Sequence, residues 1–114
     1  MANTFKLKTK ANITNDTLNT VYTVPGSTTA IVLGLNLCNK SASEINANVQ
    51  VVSDTSDTET NATVLLLDEV PIPTSATLEV LSGQKVVLQA TDVLKVQSSA
   101  NTALDAALSI MEIT

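Results

Sequence analysis

Apolar and polar residues alternate with a period of two along most of the chain. Side chains of a β-strand point alternately to opposite faces, so this pattern predicts half-buried strands rather than helices, which repeat every 3.6 residues. The clearest case is residues 45–51, whose apolar side chains are separated by Asn46, Asn48 and Gln50. Threonine and valine, whose branched β-carbons favour strands, are abundant. We therefore expect an all-β protein.

The pattern predicts eight or nine strands. Turn residues separate them at spacings of about 8 to 12 residues without intervening helices, which favours an antiparallel β-sandwich, immunoglobulin-like or jelly-roll, over a barrel. Pro71 and Pro73 cannot donate ladder hydrogen bonds, so residues 70–73 are expected at a sheet edge or in a crossover. The predicted strands are 5–13, 18–24, 28–39, 45–51, 62–68, 77–81, 85–89, 92–97 and 104–113.

The segment 28–39 is the longest predicted strand. Its alternation places Cys38 on one face, together with Val32, and places four aliphatic residues on the other face: Ile31, Leu33, Leu35 and Leu37. The chain has no histidine to activate a thiol. We interpret Cys38 as a small buried apolar residue and not as a nucleophile.

The first predicted strand has two unlike faces. Its apolar residues, beginning with Phe5 and Leu7, fall on one face, and three lysines fall on the other: Lys6, Lys8 and Lys10. With three lysines and no acid, residues 1–13 carry a charge of +3, and the remaining three lysines and eleven acids carry −8. A lysine face either docks on an acidic partner or protects an edge strand from pairing with neighbours. The three lysines are therefore candidate partner-binding residues, and 1–13 is an attachment arm or an edge strand.

The composition excludes most catalytic chemistry. A chain of 114 residues is long enough for one domain, and this one has no histidine, arginine or tryptophan and a single cysteine. It therefore lacks an imidazole base, the usual nitrogen ligand for metals and an internal disulfide. We predict a single domain, 1–114, that is not an enzyme and uses no cofactor.

Charge and hydropathy limit the partners. A net charge of −5 without arginine disfavours a nucleic-acid partner. No apolar stretch has the length of a membrane span or of a secretory signal core, so we expect no membrane partner and a mature protein that begins at Met1. Asp54, Asp57 and Glu59 crowd one predicted loop. Such a loop is either a calcium site or, as the spacing favours, a solvated and self-repelling turn.

The apolar content of 44% is high for a chain of this length. Residues 64–67 and 86–88 are apolar on both faces. Either a thick monomeric core accommodates these residues, or they face other copies in a symmetric assembly. For the second case we expect a homo-oligomer, with a homotrimer as the specific prediction.

Residues 21–39 resemble a Y-x-V-P-x-G-x-T turn that leads into a strand ending in Asn. Residues 70–92 resemble a P-I-P-x-G-x-x-L step followed by L-x-x-G-x-x-V-x-L-x-x-G-D. Through these motifs the two segments resemble small structural proteins of tailed bacteriophages, in particular cyanophage-like ones. The two matches cover about a third of the chain, and their motifs describe strands and turns.

The sequence departs from these motifs at three turns. Gly26 follows Pro25 without the usual spacer residue. Thr74 and Ser75 replace a glycine, and Thr91 precedes Asp92 where the family commonly has glycine. We therefore expect these turns to be altered.

The resemblance implies a non-enzymatic module located in the virion. It favours a capsid decoration (cement) protein that binds and stabilises the assembled shell, with the major capsid protein or other virion proteins as partners. A tail, neck or baseplate component is the alternative. A carbohydrate- or receptor-binding module is a third reading, disfavoured because sugar platforms need exposed aromatic side chains and the chain has one Tyr and one Phe.

Overall fold

The computed structural model of the protein describes residues 3–53, 61–81 and 84–114. Within these ranges the chain forms nine strands and no helix. The strands are β1 (Asn3–Lys10), β2 (Asn19–Thr23), β3 (Thr29–Asn39), β4 (Ile45–Val52), β5 (Val64–Ile72), β6 (Thr77–Glu79), β7 (Val86–Leu88), β8 (Val93–Ser98) and β9 (Leu104–Ile113).

The strands form two antiparallel sheets. Sheet 1 has the order β1-β9-β3, and the short strands β6 and β7 pair with opposite ends of the free edge of β3. Sheet 2 has the order β2-β8-β4-β5. With β6 and β7 taken as one interrupted strand, this order is that of a jelly roll. The predicted all-β antiparallel sandwich is confirmed, and the strand order selects the jelly-roll alternative.

One apolar cluster fills the space between the sheets. In β9 the inward residues Leu104, Leu108 and Ile110 are fully buried, whereas Ser109 between them is exposed. The face predicted for 45–51 is also buried, with Val49 inaccessible to solvent. Period-two alternation therefore decides which residues enter the core, as the sequence predicts for these two strands.

The proline-containing segment lies at a sheet edge, as predicted. Pro71 belongs to β5, which pairs with β4 and forms one edge of sheet 2. The pairing of β5 with β4 shifts register twice, next to Val49. The strand predicted for 62–68 therefore begins at Val64 and continues through Pro71, because an edge strand needs donors on only one side.

The predicted faces of β3 are wrong for its first half. A β-bulge after Val32 inserts an extra residue into the pairing with β9, which shifts the alternation by one. Val32 is therefore buried at 2% exposure, and Ile31 points away from the core. Leu35 and Leu37, beyond the bulge, are buried as expected. The bulge turns Ile31 into an outer-face residue.

The first strand is shorter than predicted. It ends at Lys10, and Asn12 adopts a left-handed φ of 56° that turns the chain. Ile13 then points into the core with 0% exposure, and its amide donates to the Leu104 carbonyl at 2.9 Å. Ile13 therefore does not share a face with Phe5, which is 72% exposed.

Six non-glycine residues of the described part of the chain have a positive φ, a conformation that suits glycine. Two of them, Ser75 with a φ of 58° and Thr91 with a φ of 70°, lie in turns that the sequence predicts to be altered. A β-carbon at positive φ crowds the neighbouring carbonyl, most of all when it is branched. Both turns thus hold a non-glycine residue in the left-handed conformation, and the strain is greater at the branched Thr91 than at Ser75.

We expect Thr91→Gly to raise the free energy of unfolding by about 1 kcal/mol. Relief of left-handed strain, about 1–3 kcal/mol, exceeds the extra unfolded-state entropy of glycine, about 0.5–1 kcal/mol. Thr91 is exposed, so no buried contact is lost. Urea denaturation measures the change, and Thr91→Ala is the control because it keeps the β-carbon. Equal stability of the two variants would contradict this explanation.

Candidate functional site

The lysines of β1 point toward the interior side of sheet 1, and its large apolar residues point to solvent. Lys6 and Lys8 lie opposite the inward residues Ile110 and Leu108 of β9. Phe5 is 72% exposed and Leu7 65%. β1 is an edge strand, and its orientation is the reverse of the usual arrangement, in which the apolar face is buried.

A buried carboxylate explains this orientation. Glu112 of β9 is 5% exposed and lies among inward-facing apolar residues. Its Oε1 is 2.8 Å from Lys6 Nζ, and its Oε2 accepts a 2.5 Å hydrogen bond from the Tyr22 hydroxyl of β2. Lys8 Nζ lies 5.9 Å from the centroid of the Tyr22 ring. The cluster joins β1 and β9 of sheet 1 to β2 of sheet 2.

The cluster shifts the titration of both acids. The hydrogen bonds from Lys6 and Tyr22 lower the pKa of Glu112, against the opposing effect of burial. Burial, followed by the hydrogen bond to Glu112, raises the pKa of Tyr22 strongly. Glu112 is therefore ionised and Tyr22 protonated over the whole range from mildly acidic to alkaline pH.

A second polar network holds the other end of β1. The Asn12 amide donates to Asp105 Oδ1 at 3.0 Å, and Lys40 Nζ lies 3.0 Å from the same oxygen. Lys40 also donates to Asn12 Oδ1 at 2.6 Å. The hydrogen bond from the Asn12 amide, with help from Lys40, lowers the pKa of Asp105. The strand is thus attached to the sandwich at both ends.

An apolar row crosses the outer face of sheet 1. Cross-strand register aligns Phe5 of β1 with Met111 of β9, Met111 with Ile31 of β3, and Ile31 with Val87 of β7. We call these four residues the outer apolar row. Phe5 and Val87, at its two ends, are 72% and 60% exposed. Leu7 lies beside the row and adds to the exposed apolar surface.

Cys38 lies on the outer face and is half-buried, so the prediction that it is buried is wrong. It lines a surface hollow of about 400 Å³ together with Lys10 and Asp105. The strand register sets Cys38 beside Thr77 and Asp105. The chain has no histidine that could act as a base for the thiol.

The described ranges contain no group of three or more Asp, Glu or Cys side chains close enough to hold a metal ion. The acidic loop with Asp54, Asp57 and Glu59 lies outside the described residues. Asp92 lies immediately before β8, where its Oδ2 accepts from the Gln89 amide at 2.9 Å. No helix in the described part of the chain has the length and apolar character needed to cross a membrane.

Sequence reasoning located part of this site. It placed Lys6, Lys8 and Lys10 on one face, and the structure places Lys6 and Lys8 in the inner cluster and leaves Lys10 exposed. Whether the three bind a partner stays a prediction. The sequence assigned no role to Tyr22 or Glu112, although the alternation of β9 already places Glu112 on the same face as the buried Ile110. A carboxylate at a position predicted to face the core was the feature of the sequence that could have revealed this cluster.

Comparisons with known proteins find similarity among solved structures alone. No protein-family model matches the sequence, and no curated protein is significantly similar to it. Among solved structures, a chain of the infectious bursal disease virus particle matches with a TM-score of 0.57 and 10% identity, over 96% of this chain and 30% of its own length. VP2 of the subviral particle of the same virus matches with a TM-score of 0.55, 9% identity and coverages of 96% and 32%.

A third similar structure is a protein of Bacillus endospore appendages, which form disulfide-linked pili. It matches with a TM-score of 0.50 and 11% identity, over 99% of this chain and 87% of its own. The present chain spans about a third of the viral chains and most of the pilus chain. At these identities the likeness concerns the fold.

We expect Glu112→Gln to lower the free energy of unfolding by about 2 kcal/mol at neutral pH, because Lys6 and Tyr22 lose a charged acceptor. The pKa of Glu112 is lower in the folded state, so its contribution is present above the unfolded value near pH 4.3 and disappears as pH falls through the folded value. The variant should therefore lose less stability than the wild type on acidification.

Urea denaturation between neutral and strongly acidic pH measures both effects. Tyr22→Phe should cost about 1–2 kcal/mol, since it removes one of the two donors. Glu79→Gln is the matched control at an exposed carboxylate of β6 and should change stability by less than about 0.5 kcal/mol. Parallel pH profiles for the wild type and Glu112→Gln would contradict the assignment.

Proposed function

We propose that this protein is a structural component of a virus particle, and that it acts as a capsid decoration protein on the assembled shell. The observation that carries the proposal is the jelly-roll fold, which matches chains of a viral particle over 96% of this chain. The resemblance of residues 21–39 and 70–92 to proteins of tailed bacteriophages supports a phage particle.

The mechanism is stabilisation by linked binding. A protein that binds the assembled shell, but not the separated subunits, shifts the equilibrium toward the shell. Each bound copy contributes a modest free energy, and repetition over the particle multiplies it. A sandwich whose edge strand is held by Glu112 and by the Asn12–Asp105 network presents a rigid surface, which reduces the ordering cost of attachment.

The pilus protein supports a second candidate within the same class. Its match covers nearly all of both chains, so a sandwich of this size can be a complete subunit of an elongated assembly. This favours a tail, neck or baseplate component as the alternative. A chain of disulfide-linked subunits needs at least two thiols per subunit, and the present sequence contains only Cys38. Any elongated assembly of this chain would therefore rest on noncovalent contacts.

The number of copies per particle separates the two candidates. A decoration protein follows the icosahedral symmetry of the shell, so we expect copies roughly in the hundreds, whereas a neck or tail-tip component is present in about a dozen copies or fewer. Quantitative mass spectrometry of purified particles measures the ratio of this protein to the major shell protein, and this ratio gives the number of copies per particle. Absence from the particles would refute the proposed function.

Lys10 tests the charge contribution to attachment. It is exposed, whereas Lys6 is engaged with Glu112, so Lys10→Ser changes charge without disturbing that cluster. If the lysine face meets an acidic shell surface, the variant should bind stripped particles more weakly at low salt, and its binding should depend less on salt. Lys85→Ser, an equal charge change at another exposed lysine, is the control. Identical salt profiles of Lys10→Ser and wild type would remove Lys10 from the attachment surface.

A further inference from the structure

We propose that the outer apolar row is a contact surface between two copies of this chain, which pack face to face about a two-fold axis. The proposal deepens the proposed function, since a particle subunit is present in many copies, and it names the surface by which copies meet. The partner is a second identical chain, and the interface consists of the outer faces of two sheets 1.

The four residues of the row carry no charge. The register positions beside it on β1, β9 and β3 are also uncharged: Asn3, Ile113 and Thr29 on one side, and Leu7, Ser109 and Gly34 on the other. Lys85, two residues before Val87 in the chain, is an exposed charge at the β7 end of the row. Glu112 lies on the inner side of β9, and Asp105 lies at the opposite end of that strand. Two copies that meet through this region therefore bring no pair of acidic side chains of β9 into contact, although each copy has a net charge of −5.

The face of sheet 1 is a better contact than its free edge. The lysines of β1 point inward along that edge, and inward charges on an edge strand are a known protection against strand addition. Lys6 is held by Glu112, and the Asn12–Asp105 network holds the end of the strand, so β1 is not free to exchange between copies. The exposed apolar side chains stand perpendicular to the edge, on the face.

The size and shape of the face suit an identical partner. Eight residues of β1, β9 and β3, rising by about 3.4 Å each at a strand spacing of about 4.8 Å, together with the three residues of β7, give a footprint of roughly 440 Å². The accessible area of such a corrugated face exceeds its footprint and approaches the roughly 600–1,000 Å² per partner of stable interfaces. The row lies on an open sheet face, two such faces pack at about 10 Å, and a two-fold axis sets row against row.

Sedimentation velocity of the full chain over a concentration series tests the proposal. We expect a reversible monomer–dimer equilibrium that strengthens with salt, since the contact is apolar. Val87→Lys and Phe5→Lys, at the two ends of the row, should each raise the dimer dissociation constant by about tenfold or more. Thr20→Lys, the same charge change at an exposed position of β2 in sheet 2, is the matched control and should leave the equilibrium unchanged.

Circular dichroism checks that each variant is folded. If Phe5→Lys disturbs β1, Val87→Lys still tests the contact, because Val87 lies on β7 at the other end of the row. A monomer at all concentrations, a trimer, or a dimer that persists in Val87→Lys would overturn the contact. So would a monomeric chain whose attachment to particles is abolished by Val87→Lys, because the row would then face the shell. A monomer that still decorates particles leaves the proposed function standing, whereas a dimer that is absent from particles refutes that function and keeps the contact.

Discussion

The buried carboxylate of Glu112 fixes the orientation of β1, and the surface of the molecule follows from it. Glu112 needs a positive partner, so Lys6 must point inward, and period-two alternation then forces Phe5 and Leu7 outward. A register slip of one residue would leave the carboxylate without its lysine, which costs about 3–5 kcal/mol. The same slip would bury the two apolar side chains, which gains about 1.5–3 kcal/mol for each. Because the cost and the gain are similar in size, burial of the outer face against another copy would favour the observed orientation.

The sequence predicts those features that depend on alternation alone. It identifies the strands, the buried face of 45–51 and the edge position of Pro71, because each is decided within one segment. It misassigns Ile31, because the bulge after Val32 reverses the alternation and arises from pairing with β9. The pair Tyr22–Glu112 spans 90 positions of sequence, and only the strand order of a jelly roll brings its members together. The sequence therefore yields the class of fold and the lysine face, but not what that face contacts.

The two proposals assign different surfaces to different partners. The proposed attachment to a shell starts from the fold, which is similar to that of viral particle chains. The outer apolar row supports contact between copies, and the exposed Lys10 remains the candidate for electrostatic attachment. Both depend on a β1 that stays in place, which the polar networks at its two ends provide. A subunit that binds another copy through one face and a shell through another can link neighbouring positions on the surface of a particle.

The orientation of β1 determines the rest of the surface, and nuclear Overhauser effects measured on the chain in solution test it most directly. Cross-peaks are expected between the Lys8 side-chain methylenes and the Tyr22 ring, whose centroid lies 5.9 Å from Lys8 Nζ. The Leu7 methyl groups are expected to show no cross-peaks to the core residues Leu108 and Ile110 of their own chain. Intramolecular cross-peaks from Leu7 to those residues, together with solvent-exposed Lys8 methylenes, would contradict the account.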